Sequence, residues 1–270
     1  MKTRLLAILL TTALLLPGFP AAAADSEAKT ALDALVAQIN AKIKDDKKSP
    51  ADMAPEIAEF DKLLAKFKDD KSEDVAKIAY MKATLYLAVF QDEAKGTELL
   101  TALQRDFPET KFGKDAESRL KSLKAQANMA VGKQFPDFTE KDHLGKPLSI
   151  SAYKGKVVLV DFWATWCGPC IGELPNVKKT YAKHHESGFE IVGISLDSDR
   201  DKLTAFLEKQ EMPWQEFFDG EGWKNKLAQQ YGINSIPATY LLDRDGKVIA
   251  KNLRGPALET AVAKALGKEK

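Results

Sequence analysis

The chain has 270 residues, with 40 Lys and Arg set against 39 Asp and Glu for a net charge of +1. The two signs are interspersed, so no strong field exists to hold nucleic acid or an anionic membrane, and partners must be recognised by shape or chemistry.

The sequence opens on Met1-Lys2-Thr3-Arg4, an apolar stretch from Leu5 to Leu16, then Pro17, Gly18 and the small residues Ala21 to Ala24. A basic start, a short apolar segment and an Ala-x-Ala end read as a secretory signal peptide over 1–24, cleaved between Ala24 and Asp25. The competing reading is an uncleaved membrane anchor. Removing the leader leaves about 246 residues, enough for one large domain or two ordinary ones. Export makes the expected location a periplasm, with the protein soluble after cleavage.

Residues 25–128 read as an all-α segment. Apolar residues recur at helical spacing in the sets Leu32, Leu35, Val36, Ile39, Ile43; Ile57, Phe60, Leu64, Phe67; and Val75, Ile78, Leu85, Val89. Leu99, Leu103, Phe107 and then Phe112, Ala116, Leu120, Leu123 add two more helices. Breaks at Lys48 to Ala51, Lys68 to Ser72, Gln91 to Ala94 and Pro108 to Lys111 space them as short hairpins. The stretch from Tyr80 to Leu120 loosely resembles a tetratricopeptide hairpin. Such a segment could bind a protein partner, mediate self-association or stabilise its neighbour. Its charge runs read as solvated helix ends.

From about Met129 to Lys270 strands alternate with helices. A hairpin is predicted around His143 to Lys146, followed by a buried strand in "KVVLVDFWATW", Lys156 to Trp166, whose apolar, β-branched run fits cover on both faces. Next come a helix from Cys167 to about His185, a strand Phe189 to Leu196, a helix Asp199 to Glu208 and a short strand Trp214 to Phe218. A helix Glu221 to Gln230, strands Ala238 to Asp243 and Lys247 to Leu253, and a helix Pro256 to Leu266 complete an α/β domain of about 140 residues.

Both cysteines lie in "WCGPC", Trp166 to Cys170. Zinc needs about four ligands, and only His143, His184 and His185 could join two thiols. A covalent haem site would need His after Cys170, where Ile171 stands. A structural disulfide would close too small a loop to restrict the unfolded chain much. These readings are weaker than a redox-active disulfide that needs no further cofactor and no metal. A sulfur that opens a helix at a strand end meets unpaired N–H groups and the positive end of the helix dipole, which favours a thiolate. Cys167 is therefore the expected nucleophile and should be exposed. Cys170, one turn on, should be more buried and placed to resolve a mixed disulfide.

"VVLVDFWATWCGPC", Val157 to Cys170, resembles the thioredoxin active-site strand and motif, and "INSIPATYLLDRDGKV", Ile233 to Val248, resembles that family's cis-proline loop and hairpin. "WCGPCIGELP", the preceding hairpin and the extra helix and strand between about Asp199 and Phe218 resemble the TlpA and ResA group of extracytoplasmic thiol-disulfide oxidoreductases. The likeness covers about residues 130 to 268. It implies a thioredoxin-like fold, a central mixed sheet flanked by helices, preceded here by the helical segment. It also implies a cis Ile236-Pro237 bond, and a client-binding surface formed by Trp166, Gly168, Pro169, Ile236 and Pro237.

Asp161 interrupts the apolar strand, where a buried carboxylate is costly, so a raised pKa is predicted. It matches the buried aspartate of thioredoxins, which implies a proton acceptor for Cys170. Glu173 lies three residues after Cys170 on the same helical face and matches the acidic position of the "CxxCxxE" pattern, so either carboxyl could serve that transfer. His184 and His185 read as solvent-facing groups at the helix end.

The leading expectation is an exported reductase of protein disulfides, whose partners are disulfide-containing clients and a membrane thiol-disulfide electron donor. Alternatives are a disulfide isomerase or oxidase, or a partner-binding protein whose thioredoxin-like half is a scaffold. A peroxidase would need a proline and a threonine where Val160 and Ala164 stand.

Overall fold

The structure is a computed structural model describing residues 26–268. The leader expected over 1–24 lies outside the described residues. Two compact units meet in sequence between Leu99 and Leu100.

In the first unit, α1 (Glu27–Lys44), α2 (Ala54–Lys66) and α3 (Glu73–Thr84) pack on one another. Ser26 caps α1 through Lys29 N, Pro55 stands in the first turn of α2, and Ser72 caps α3. The buried face runs through Leu32, Leu35, Ile39, Phe60, Leu63, Val75 and Ile78. Leu63 rather than Leu64 takes the buried position on α2, and Met53 at its start is buried too. A π-helical turn over Leu85–Val89 continues α3. Gly96 follows in α4 (Glu93–Asp106), where a Cβ would lie 2.4 Å from the Leu87 side chain. No helix of the described residues is long and apolar enough to cross a membrane.

The second unit contains the end of α4 and then α5 (Lys111–Ala127), which begins on Thr110, whose hydroxyl accepts from Gly113 N at 2.9 Å. The sequence groups α5 with the helical segment, but in the fold it belongs with the sheet. The Gln126 side chain donates to the Gly232 carbonyl at 2.5 Å, and a Cβ on Gly232 would lie 2.6 Å from the Ser122 carbonyl.

The expected hairpin is present as β1 (Glu140–Lys141) and β2 (Pro147–Leu148). The sheet strands are β3 (Val157–Trp163), β4 (Phe189–Ser195), β5 (Gln215–Phe217), β6 (Ala238–Leu242) and β7 (Val248–Lys251), in spatial order β5-β4-β3-β6-β7. β3, β4 and β5 run parallel, while β6 is antiparallel to β3 and β7 to β6. This is the mixed sheet that the resemblance implied. Between the strands lie α6 (Gly168–His184), α7 (Arg200–Lys209) and α8 (Lys226–Gln230), and α9 (Pro256–Ala265) closes the chain.

Strand alternation sorts the core. Val158, Val160 and Phe162 point into one apolar cluster, with Phe135, Tyr231 and Tyr240. Val157 and Leu159 point into another with Leu174 and Val177 of α6 and Leu258 and Val262 of α9. By the same alternation Asp161 projects on the side covered by α6 and α9.

Two expectations need correction. The helix expected over Glu221 to Gln230 divides into a 3-10 turn, Gly222–Lys224, and α8, because Asn225 leaves helical geometry and caps α8 with its own side chain. His184 is only 3% exposed, since α9 packs across α6 and covers it; burial holds its pKa below the usual histidine value. His185 remains exposed and stacks on Tyr181 at 4.5 Å.

Candidate active site

The central strand delivers the chain to the cysteines. β3 ends at Trp163, a turn at Thr165 and Trp166 follows the buried Ala164, and Cys167 becomes the N-cap of α6, with φ −85° and ψ 97°. Its Sγ accepts from Cys170 N at 3.2 Å, one of the donors a helix start leaves without an intrahelical partner. Cys167 and Cys170 are joined in a disulfide. Their exposures are 5% and 6%, so the expected contrast between an exposed Cys167 and a more buried Cys170 is absent. Both belong to the apolar cluster that includes Trp163 and Ala164 and against which Ile236 packs.

The Ile236-Pro237 bond is cis, as the resemblance implied. A cavity of about 20 Å³ is bordered by Pro237, Cys170, Asp161, Glu173, Thr239 and Arg254, among others. That volume suffices for about one water molecule. Four predicted residues thus converge on one space. Trp166, Gly168 and Pro169 lie instead on the exposed side of the disulfide, and Ile236 is half-buried beside it.

Asp161 as a residue is half-buried, but its Oδ1 is sealed and has no hydrogen-bond partner among the described residues. Burial pushes its carboxyl up to about 7; the Arg254 guanidinium pulls it down and Glu173 adds to the rise. The raised pKa expected from the strand position is therefore present. Glu173 is differently engaged. Its Oε1 accepts from Gly255 N at 2.5 Å, which ties α6 to the residue that caps α9.

Arg254 is a site residue that sequence reading missed. Its guanidinium donates to the Pro237 carbonyl at 2.6 Å, the Thr239 hydroxyl at 3.1 Å and its neighbour's carbonyl, Leu253 O, at 2.7 Å. It holds the cis-proline segment while its charge acts on Asp161. Glu216 was also missed. Fully buried in β5, it accepts from Trp163 Nε1 at 2.9 Å and Trp214 Nε1 at 2.8 Å. Strand register sets Asp161, Gly193 and Glu216 in one row across the sheet. Gly193 leaves room for the Glu216 carboxyl, since a Cβ there would lie 2.1 Å from its oxygens. Burial pushes Glu216 up to about 8; the two indole N–H groups oppose the rise, whereas Asp161 and Asp197 add to it. A glutamate within an apolar strand was the available signal, the same one that marked Asp161.

Arranged in this way, the site can exchange disulfides. It offers a sulfur pair at a helix start and a carboxyl of near-neutral pKa that shares a cavity with the second sulfur.

The family match and the sequence relatives agree. Residues 130–266 match the Redoxin family. The thiol-disulfide oxidoreductase ResA of Bacillus thuringiensis subsp. konkukian (strain 97-27) is 33% identical over 124 residues, 46% of this chain and 70% of the relative. ResA of Geobacillus thermodenitrificans (strain NG80-2) is 31% identical over 120 residues, 44% of this chain and 67% of the relative. Among solved structures, the thioredoxin domain of a thiol-disulfide oxidoreductase from Bacteroides vulgatus is 34% identical and covers 51% of this chain and 98% of its own, with a TM-score of 0.47.

Proposed function

Because this chain belongs to the Redoxin family and is a thiol-disulfide oxidoreductase, we propose that it reduces disulfides of client proteins through Cys167 and Cys170. The observation that carries the reading is the Cys167–Cys170 disulfide at the start of α6, with Cys170 sharing a one-water cavity with Asp161.

In the dithiol form, the Cys167 thiolate attacks one sulfur of a client disulfide. That S–S bond breaks, a mixed disulfide forms, and the first client sulfur leaves as a thiolate that takes up a proton. Cys170 then gives its proton toward Asp161, directly or through one water, and attacks Cys167 Sγ. The mixed disulfide breaks, the second client sulfur leaves as a thiolate and takes up the proton held by Asp161, and the Cys167–Cys170 bond is restored. Two electrons have passed to the client, with one proton from solvent and one from Cys170.

Gly168 and Pro169 shape the turn that presents the sulfurs. Trp166, Ile236 and Pro237 bound the surface on which an extended client would lie, and the helix dipole favours the Cys167 thiolate. Turnover requires a dithiol donor, which we assign to a membrane thiol-disulfide carrier. The leader-like segment Met1 to Ala24 supports export to a periplasm, and mature protein beginning at Asp25 is the expected product. The helical segment 25–128 would serve a protein partner or self-association.

The deciding experiment is the equilibrium reduction potential of the Cys167–Cys170 pair, titrated against thiol buffers. A value near about −270 mV supports the reductase, and a value near about −120 mV would overturn it in favour of an oxidase or isomerase.

A further inference from the structure

Two indoles stand in solvent beside the disulfide. Trp166 is 53% exposed and Trp223 is 44% exposed, and their ring centroids lie 6.0 Å apart with planes inclined at 54°. Single exposed apolar side chains are ordinary, but two large ones in contact next to a reactive bond are not. They come from separate segments. Trp166 immediately precedes Cys167, and Trp223 sits in the 3-10 turn between β5 and α8.

A buried hydrogen-bond network joins the supports of both rings. Thr165, the neighbour of Trp166, donates to the Asp197 carboxylate from its N–H at 3.0 Å and its hydroxyl at 2.6 Å. Ser195 Oγ donates to the same carboxylate at 2.8 Å, and the Ser195 carbonyl accepts from Asn225 Nδ2 at 3.2 Å. Asn225, two residues beyond Trp223, also donates to Asp219 at 3.1 Å and caps α8 through Ala228 N at 3.0 Å. Ser195, Asp197 and Asn225 are at most 3% exposed. The Gln229 amide closes the turn by donating to the Trp223 carbonyl at 2.8 Å. A satisfied polar network of this kind rigidifies what it carries. Here it carries two apolar rings toward water, an arrangement that lowers the ordering cost of binding.

We propose that Trp166 and Trp223 form a preorganised aromatic clamp for an apolar side chain beside the disulfide cysteine of an extended polypeptide client, and that Trp223 determines this preference. The inference rests on the exchange activity proposed above and names the substrate class of that site. A client sulfur bonded to Cys167 brings its own neighbours over Trp166, because an extended chain advances only about 3.3–3.6 Å per residue. The ring separation is thus within reach of the first or second residue from the client cysteine. Indoles supply large, stiff contact area to such a side chain.

The test uses the reduced full-length protein in single turnover, so no external donor is needed. Two peptides, each cyclised by one disulfide, differ only in carrying Phe or Ser next to a cysteine. The wild-type protein should reduce the Phe peptide about tenfold faster. Trp223→Ala should bring the two rates within about twofold, and Trp223→Phe should retain most of the difference. Equal wild-type rates, or a preference that survives Trp223→Ala, would overturn the clamp while leaving the exchange activity standing. Failure of the wild-type protein to reduce either peptide would instead refute the exchange activity and the clamp with it.

Discussion

Replacing Asp161 by Asn should change how stability depends on pH, in a direction the structure dictates. In the folded chain the carboxyl titrates at about 7 against an ordinary 3.8, because burial penalises its charge. A raised acid contributes stability that is complete below the unfolded pKa and is lost as pH rises through the folded one. The window therefore runs from about pH 4 to about pH 7, and the loss across it is about 4 kcal/mol. The amide of Asp161→Asn carries no such charge, so the stability difference, variant minus wild type, should climb by roughly that amount between about pH 4 and about pH 8. Glu216 acts in the same sense, because losing the like charge of Asp161 eases its own ionisation. The assay is denaturant unfolding of the oxidised protein followed by tryptophan fluorescence. All four tryptophans, Trp163, Trp166, Trp214 and Trp223, lie in the sheet unit, so the signal isolates that unit's transition. A difference that stays flat over this range, or that falls with pH, would refute the assignment of a sealed, charge-penalised carboxyl.

The remaining predictions concern exchange itself. With Cys170→Ser, a covalent adduct between Cys167 and a disulfide client should persist on a non-reducing gel, whereas Cys167→Ser should form none; an adduct of equal yield in both would reverse the roles of the sulfurs. Arg254→Gln removes the positive charge that holds Asp161 down, so the pH midpoint of the Cys170-dependent step should rise by about one pH unit. Glu173→Gln removes a negative charge that raises Asp161 while keeping an oxygen for Gly255 N, so the same midpoint should fall. Stopped-flow fluorescence across pH reads both, and shifts of like sign would contradict the opposed fields that these two side chains exert.

Much of the α/β half was legible because its signals are local. The apolar, valine-rich run Val157 to Val160 marks a strand covered on both sides, and all seven residues of β3 except Asp161 are buried. That one interruption was readable as chemistry because a charge in such a run must be compensated or neutral. Glu216 obeys the same rule, yet β5 has three residues, too few for alternation to show which way a side chain points. The continuous helix expected over Glu221 to Gln230 failed for a tertiary reason. Asn225 is fixed by Ser195 and Asp219, and a helical period cannot register bonds to a neighbouring strand. Arg254, Trp223 and the covered His184 were hidden likewise, since each acquires its role from a segment distant in sequence.

Two carboxyls bordering the same cavity as Cys170 suggested redundancy, and the geometry argues for a division of labour instead. Glu173 accepts from Gly255 N and so holds α6 against the start of α9. Surrendering that bond to receive a proton would loosen the wall of the cavity it helps to form. Asp161 has a sealed oxygen with no hydrogen-bond partner among the described residues and a pKa of about 7, so taking a proton relieves its desolvation cost. Arg254 and Glu173 then act on it with opposite signs from opposite elements, the loop after β7 and the active-site helix. Because Arg254 also grips the Pro237 carbonyl, a client that displaced the cis-proline segment would move the positive charge relative to Asp161. In this proposal, client docking and readiness to deprotonate Cys170 are linked through one guanidinium, without either cysteine having to move.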